Sequence, residues 1–137
     1  MAENQYAPDA PPLVGVIDPD PVARNGLRAL LHRNGVDVST FDSAESYLLA
    51  ANGRHLACLI VDLLLPGMSG LELLRRLRGA GNDVPVVLLA DESDVATAVA
   101  AIREGATDFI EKPYVDIAVL KQVEKLIRRP PPTAAHA

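Results

Sequence analysis

Cysteine and tryptophan are the scarcest residues of this sequence, which has one Cys and no Trp. A single cysteine excludes an intrachain disulfide framework and fits a reducing compartment, so we expect a cytoplasmic protein. Aromatic residues make up only 4% of the chain and apolar residues 49%. The core must therefore consist mainly of Leu, Val, Ile and Ala, as in buried parallel sheets. Cys58 lies in an apolar run, and we expect it to be a small buried hydrophobe rather than a reactive thiol.

Basic residues are also in the minority, with 13 Lys and Arg against 18 Asp and Glu and a formal net charge of -5. Independent nucleic-acid binding normally needs a basic face, so we expect no direct nucleic-acid binding by this chain. We also expect no membrane contact, because no apolar run is long enough to span a bilayer and the first residues do not resemble a signal peptide. The length of 137 residues is typical of one domain.

Proline is concentrated at the two ends of the chain. Residues 1–12 are polar and contain three prolines, and residues 130–137 begin with three consecutive prolines. We expect the first segment to be a disordered tail. The second is predicted to be a Pro-rich tail or a linker stub, because consecutive prolines cannot continue a helix. The folded domain is predicted over residues 13–129.

Between these tails, short apolar runs alternate with segments of helical periodicity. The runs predict strands at residues 13–17, 36–41, 57–61, 84–90 and 107–110. The predicted core-facing stripes of four helices are Leu27-Leu30-Leu31, Gly70-Leu73-Leu74-Leu77, Val95-Ala98-Val99-Ile102 and Ile117-Leu120-Val123-Ile127. Residues 42–45, Asp-Ser-Ala-Glu, resemble a capping box that opens the remaining helix. The alternation predicts an α/β fold, a doubly wound (βα)5 domain with five parallel strands and helices on both faces.

Charged side chains follow several of the predicted strands, at the sheet edge where open parallel sheets bind ligands. Asp18 and Asp20 follow the first strand, Asp62 the third and Lys112 the fifth. In a sheet of order 2-1-3-4-5, Asp18 and Asp62 face each other at the switch point with Lys112 across from them. Neighbouring carboxylates share a proton or bind a hard cation, and a lysine can hold a phosphoryl oxygen. An aspartate can also act as a nucleophile and form an aspartyl phosphate.

Each of these residues has a simpler structural interpretation. Asp20 precedes Pro21 and is as well placed to be a helix N-cap as a ligand, and Asp94 is expected to cap the fourth helix. Taken alone, Asp62 could cap a loop and Lys112 could be an ordinary surface lysine. Their joint placement at strand ends is what favours a chemical site.

Four segments of the chain, in this order and spacing, resemble the receiver domain of two-component response regulators: VIDPDPVAR, LIVDLLLPGMSGLELL, PVVLLADESDVATAV and GATDFIEKPY. The resemblance implies a flavodoxin-like fold with sheet order 2-1-3-4-5 and a signalling domain rather than an enzyme. It implies transfer of a phosphoryl group from a sensor histidine kinase to Asp62, with Lys112 contacting that group. It further implies a cis bond before Pro113 and an aromatic switch at Phe109. Signalling is implied through a homodimer on the face of the fourth helix, fifth strand and fifth helix, and through an output domain or partner protein.

The acid pocket departs from the family pattern at one position. The family has two adjacent acids after the first strand, and the second is a direct Mg²⁺ ligand. Here Asp18 is followed by Pro19, which has no side-chain oxygen. The remaining ligands implied by the resemblance are Asp18, Asp62 and the backbone carbonyl of Leu64, unless Asp20 reaches into the pocket instead. We therefore expect a Mg²⁺ site that is weakened.

The switch position at the end of the fourth strand also departs from the family pattern. The family has Thr or Ser there, whose hydroxyl contacts the phosphoryl group, whereas this chain has Ala90, which has no donor. The two departures predict an atypical receiver in which phosphorylation of Asp62 is weak or signalling is independent of phosphorylation.

Two alternatives to an atypical receiver stay open. The first is an ordinary phosphorylation-switched receiver that tolerates both substitutions. The second, more distant, is a haloacid-dehalogenase-like phosphatase, because VGVIDPDPV fits a hydrophobic strand followed by DxDxV, with Asp18 as nucleophile and Asp20 as acid and base. The chain has no room for the extra elements of that phosphatase fold.

Overall fold

Five strands and five helices alternate along the chain, which the computed structural model describes over residues 11–50 and 55–128. In chain order the elements are β1 (Leu13–Ile17), α1 (Pro21–Arg33), β2 (Asp37–Phe41), α2 (Ala44–Ala50), β3 (Cys58–Asp62), α3 (Gly70–Gly79), β4 (Val86–Ala90), α4 (Val95–Arg103), β5 (Asp108–Glu111) and α5 (Asp116–Ile127). A 3₁₀ turn, Glu92–Asp94, precedes α4. The tails expected at residues 1–12 and 130–137 lie outside the described residues, apart from residues 11 and 12.

The five strands are parallel and lie in the order β2-β1-β3-β4-β5. This confirms the predicted flavodoxin-like fold and strand order. The three central strands are buried on both faces except at the first residue of β1, which explains their nearly continuous apolar sequences. The edge strand β2 is half-exposed and carries an alternating sequence instead. The direction of strand addition reverses between the neighbouring strands β1 and β3, which makes their carboxyl ends the topological switch point of the sheet.

Two apolar clusters, one on each face of the sheet, make up the core. Helices α2, α3 and α4 cover one face and contribute Ala44, Leu74 and Ala98 among others. Helices α1 and α5 cover the other face, where Leu31 and Val123 are buried. The stripes predicted for α1 and α3 are confirmed. Within the described part of the chain, none of the helices is long and apolar enough to span a membrane.

Cys58 lies at the start of β3 and is fully buried in the cluster under α1 and α5. Burial raises the pKa of its thiol to about 12, so the thiolate is not populated near neutral pH. The expected packing role of this cysteine is therefore confirmed.

The stripe predicted for α4 is wrong in part. Ala98 and Ala101 face the core, whereas Val99 is 49% exposed and Ile102 is 40% exposed. Helix α4 is built mostly from Ala and Val, so both of its faces are apolar and periodicity does not select one of them. The stripe predicted for α5 is also wrong in part. Val123 is buried as predicted, but the other buried residues of this helix are Val119 and Leu126.

The capping box predicted for residues 42–45 is wrong about the glutamate. Ser43 Oγ accepts the Ser46 backbone N–H at 3.1 Å, which caps the start of α2. The main hydrogen-bond partner of the Glu45 carboxylate is not at its own helix end, although its own backbone N–H also interacts with it. Its Oε2 instead accepts the backbone N–H of Met68 at 2.8 Å, in the loop between β3 and α3. A long-range donor, the Met68 N–H, therefore takes the place of the local one.

A complete capping box opens α3 instead. Ser69 Oγ accepts the Glu72 backbone N–H, and Glu72 Oε1 accepts the Ser69 backbone N–H, each at 3.1 Å. The Ser-x-x-Glu spacing at 69–72 is the sequence signal for this cap. Asp94 stands at the N-cap position of α4 but makes no side-chain capping bond, so that expectation was wrong. The 3₁₀ turn before α4 already leads into the helix there.

Candidate functional site

The carboxyl ends of β1, β3 and β5 bring Asp18, Asp62 and Lys112 together. Both aspartates are buried, with 1% of Asp18 and 6% of Asp62 exposed. Lys112 Nζ donates a hydrogen bond to Asp62 Oδ2 at 2.5 Å, across 50 positions of sequence. The strand order brings the two aspartates together, because β1 and β3 are adjacent and the chain leaves both at the same edge of the sheet.

Both carboxylate oxygens of Asp62 accept hydrogen bonds. Oδ2 is paired with Lys112, and Oδ1 accepts the backbone N–H of Leu64 at 3.1 Å. The loop after β3 is held at its start, because the Leu63 N–H donates to the Leu89 carbonyl at 2.8 Å. It is held at its end by close packing of Gly70, where a Cβ atom would lie 2.6 Å from the Asp62 carbonyl oxygen. The orientation of Asp62 is therefore set by its lysine partner and by the loop that follows.

Asp18 has one bonded and one unbonded carboxylate oxygen. Oδ1 accepts the backbone N–H of Asp20 at 2.9 Å, whereas Oδ2 is buried without a hydrogen-bond partner among the described residues. Burial raises the pKa of Asp18, the Asp20 N–H bond acts in the opposite direction, and the nearby charge of Asp62 raises the pKa further. A buried, unpaired carboxylate oxygen is the kind of atom that a hard cation satisfies.

The acid in the loop between β1 and α1, Asp20, caps the helix that follows it. The Asp20 carboxylate accepts the Val22 N–H at 3.0 Å and is the N-cap of α1, so its capping interpretation is confirmed. Arg24 Nη1 donates to the backbone carbonyls of Asp18 at 2.8 Å and of Pro19 at 3.1 Å. This role of Arg24 was not predicted from the sequence. Its only sequence signal is a position one helical turn after the cap, within VIDPDPVAR.

Lys112 keeps its proton at neutral pH. Burial on its own lowers the pKa of this ammonium, but the hydrogen bond and charge of Asp62, together with the charge of Asp18, outweigh burial and raise it. Its backbone N–H donates to the Ala90 carbonyl at 2.8 Å, which ties the end of β5 to the end of β4. The Lys112–Pro113 peptide bond is cis, as the resemblance implied.

The two predicted switch positions lie on neighbouring strands, Ala90 at the end of β4 and Phe109 as the second residue of β5. Ala90 is buried and presents a methyl group, with no donor, beside the pocket strands. Phe109 is half-buried and packs against the cluster under α2, α3 and α4. Tyr114 packs against the opposite cluster, and burial raises the pKa of its phenol.

The oxygen atoms of the pocket fit a small hard cation with few protein ligands. Across residues 11–50 and 55–128, no group of three or more His, Cys, Asp and Glu side chains is arranged to hold a metal ion. Asp18 and Asp62 are the two carboxylates that remain, and the unpaired Oδ2 of Asp18 is available. Mg²⁺ is commonly bound by one or two carboxylates with water completing its shell. The donor set therefore fits Mg²⁺ within that range.

The family model for the response regulator receiver domain matches residues 14–124 of this chain. The chain belongs to the response regulator receiver domain family. Receiver domains of this family are signalling domains rather than enzymes, bind Mg²⁺ at the phosphorylation site and work with sensor histidine kinases. The phosphatase alternative, with Asp18 and Asp20 as its acids, is thereby overturned.

Two curated relatives show how much of a longer protein this receiver domain matches. It is 37% identical over 119 residues to the transcriptional regulatory protein FixJ of Bradyrhizobium diazoefficiens, covering 87% of this chain and 58% of the relative. It is 39% identical over 125 residues to the C4-dicarboxylate transport transcriptional regulatory protein DctD of Pseudomonas aeruginosa, covering 90% of this chain and 27% of the relative. The chain therefore spans about half of FixJ and about a quarter of DctD.

Solved structures give the same fold for the receiver domain. Full-length FixJ from B. japonicum superposes with a TM-score of 0.84 at 35% identity, over 90% of this chain and 61% of that one. The receiver domain of NtrX from Brucella abortus superposes with a TM-score of 0.79 at 31% identity, over 85% of this chain and 99% of that one. The second match shows that a receiver domain of this extent has been crystallised without the rest of its protein.

Proposed function

We propose that this chain is an atypical receiver domain, in which Asp62 is phosphorylated weakly or not at all and signalling rests mainly on protein contacts. One observation carries the proposal. The position after Asp18 holds a proline, and the neighbouring carboxylate, that of Asp20, caps α1. The pocket therefore retains two carboxylates for a cation, and losing a charged ligand weakens cation binding.

The residues that remain would divide the phosphorylation chemistry as follows. Asp62 supplies the attacking carboxylate oxygen, Lys112 holds an oxygen of the phosphoryl group, and Asp18 with the Leu64 carbonyl holds Mg²⁺. Bound Mg²⁺ supplies neutralisation of the charge on the transferring group. Each carboxylate oxygen of Asp62 accepts one hydrogen bond, from Lys112 or from Leu64, so each keeps a lone pair for attack. A weakly held cation makes that attack less favourable.

Ala90 also limits what a phosphoryl group could do once attached. A hydroxyl at the end of β4 would gain a hydrogen bond only in the phosphorylated state, and that gain would favour one loop conformation over another. The methyl group of Ala90 makes no such bond. We infer that phosphorylation shifts the conformational equilibrium of this domain less than it would with Thr or Ser at this position.

The contact surface that we propose is the face of α4, β5 and α5. Val99 and Ile102 on α4 are exposed there, whereas Ala98 and Ala101 are the residues of this helix that pack into the core. An exposed apolar pair on a helix is suited to a homodimer or to a partner protein. We propose transcription regulation, through an output domain or a partner protein, as the pathway, because the FixJ and DctD relatives are named transcriptional regulatory proteins.

The test restores the missing ligand. Pro19→Asp adds a carboxylate next to Asp18, and Pro19→Ala removes the ring without adding one. We expect Pro19→Asp to tighten Mg²⁺ binding by about tenfold and to raise the fraction of protein phosphorylated by acetyl phosphate, whereas Pro19→Ala changes neither. Intact mass measures the phosphoryl increment, and Asp62→Asn gives the background.

The ordinary phosphorylation-switched receiver is the second candidate, and the intact pairing of Asp62 with Lys112 favours it. It predicts that the unmodified chain gains a phosphoryl increment nearly to completion, in an Asp62-dependent way, and that Pro19→Asp adds little. That result would overturn the atypical assignment while leaving the family assignment in place.

A further inference from the structure

We propose that Glu45 is a positioning residue for the acid pocket, acting through the loop of residues 63–69 that joins β3 to α3. Glu45 lies in the first turn of α2 and is exposed at the surface. It touches no residue of the pocket directly. The proposal takes Asp62 and Leu64 as pocket residues from the function proposed above.

The contact that carries the proposal joins two elements far apart in sequence. Glu45 Oε2 accepts the Met68 backbone N–H at 2.8 Å, across 23 positions of sequence. The same bond lowers the pKa of Glu45, so the carboxylate is ionised at neutral pH and the hydrogen bond is charge-assisted. Charge-assisted bonds to a backbone N–H are stronger than neutral ones, even near the surface.

The shape of the loop matches this carboxylate closely. Gly67 has a φ of +75°, and a Cβ atom there would lie 2.6 Å from Glu45 Oε2. The loop therefore brings its backbone to the carboxylate at a point where a side chain would obstruct it. Close approach at Gly67 and a hydrogen bond at Met68 indicate a fitted contact rather than a chance encounter of surface groups.

The same loop orients Asp62. Its first residues contact the pocket, because the Leu64 N–H donates to Asp62 Oδ1 at 3.1 Å. Leu63 and Leu65 are buried in the cluster that also contains Ala44 of α2. The inward side of the loop is thus held by apolar packing. Glu45 adds a polar anchor near the far end, one residue before the Ser69 cap of α3.

Removing the Glu45 anchor would free the Gly67–Met68 segment from α2. The Leu64 amide lies in the same short loop, so its hydrogen bond to Asp62 should open more often. Asp62 would then sample other orientations, and a cation held by Asp62 and the Leu64 carbonyl would bind more weakly. A surface hydrogen bond without this role would affect only the Met68 amide.

The experiment measures amide hydrogen exchange at Met68 and Leu64, without Mg²⁺, in the full chain. The variants are Glu45→Ala, Glu45→Gln and, as a control with the same charge change, Glu124→Ala in α5. We expect Glu45→Ala to accelerate exchange at both amides by about tenfold, Glu45→Gln to give an intermediate rate because an acceptor remains, and Glu124→Ala to change neither. In a Mg²⁺ titration, we expect Glu45→Ala to bind Mg²⁺ most weakly, Glu45→Gln to bind with intermediate affinity, and Glu124→Ala to bind as tightly as the unmodified chain.

Acceleration at Met68 alone, with Leu64 exchange and Mg²⁺ affinity unchanged, would overturn the proposal and leave Glu45 as a local surface contact. If Glu45→Ala does not fold, Glu45→Gln is compared with the unmodified chain, and an unchanged Leu64 rate again overturns it. Because the exchange measurement needs neither metal nor phosphorylation, efficient phosphorylation of the unmodified chain would refute the atypical receiver without affecting Glu45.

Discussion

Asp18 is buried more deeply than Asp62, yet one of its oxygens has no partner within the described residues. Burial of an ionised carboxylate costs free energy, and here the raised pKa of Asp18 expresses that cost. Sites that bind cations commonly accept such a penalty in the free protein, because the bound ion offsets it. Asp18 therefore links the stability of the domain to its capacity for Mg²⁺.

Asp18→Asn should stabilise the domain at neutral pH in the presence of a chelator, by about 1 kcal/mol, because an amide is not penalised for charge on burial. The raised pKa fixes the sign of the pH dependence. The penalty of the aspartate is present above its folded pKa and absent below its ordinary value of 3.8, so the gain from Asn should shrink as the pH falls toward that value. Urea unfolding at neutral and acidic pH measures the difference.

Asp20→Asn is the matched control for Asp18→Asn, because Asn is also a good N-cap and Asp20 is exposed. It should leave the free energy of unfolding nearly unchanged. Added Mg²⁺ should raise the free energy of unfolding of the unmodified chain by more than it raises that of the Asp18→Asn variant. If Asp18→Asn is less stable than the unmodified chain at neutral pH without Mg²⁺, this account of Asp18 is contradicted.

Among the elements, α3 holds the C-terminal end of α4. Arg78 donates through Nε and Nη2 to the Gly105 carbonyl, at 3.1 and 2.8 Å, and through Nη1 to the Asn82 carbonyl at 2.8 Å. Gly105 has a φ of +114°, which ends α4 in a conformation that other residues rarely adopt. Arg75 adds a two-point contact to Glu104 nearby, at 2.7 and 3.1 Å.

Arg78→Ala should destabilise the domain by about 1.5–3 kcal/mol, because three charge-assisted hydrogen bonds to backbone carbonyls are lost. Arg75→Ala is the matched control, since it removes the same charge from the same helix but breaks an exposed ion pair, which contributes much less. Thermal unfolding of both variants gives the comparison. A larger loss for Arg75→Ala than for Arg78→Ala would refute the anchoring role of Arg78.

Helix α4 also shows where elements could and could not be predicted from sequence. Strands β3 and β4 are predictable because a strand buried on both faces needs an unbroken apolar run. The face of α4 is not, because Ala and Val surround the helix and packing against β4 and β5, rather than periodicity, decides that Ala98 and Ala101 turn inward.

In the whole molecule, the predicted meeting of Asp18, Asp62 and Lys112 follows from strand order, which short connections and handedness restrict to few choices. The polar contacts around them do not follow from it. Arg24 binds the Asp18 and Pro19 carbonyls, and Glu45 binds the Met68 amide, although each long side chain has several acceptors or donors within reach. Only the assembled loops decide which of these contacts forms.

The exposed α4 residues lead to a prediction about assembly. Ile102→Asp should weaken self-association of the chain by at least about tenfold, because a charge would be buried without a partner at the contact. Leu49→Asp is the control, because Leu49 is exposed but lies on α2, which is not part of the proposed contact face. Sedimentation equilibrium over a range of concentrations measures both. Equal association of the two variants, or a monomer at every concentration, would rule out a homodimer through this face.

The spacing of the pocket residues along the chain has a consequence for synthesis. Asp18 and Asp62 precede Lys112, which pairs with Asp62 only after β5 has joined the sheet. A nascent chain whose first four strands have emerged from the ribosome would thus have two neighbouring carboxylates without their ammonium partner. Repulsion between these carboxylates opposes closure of the pocket at the carboxyl ends of the strands. Arrival of Lys112 relieves part of the repulsion, so β5 completes the described sheet and lowers the negative charge of its pocket in one step.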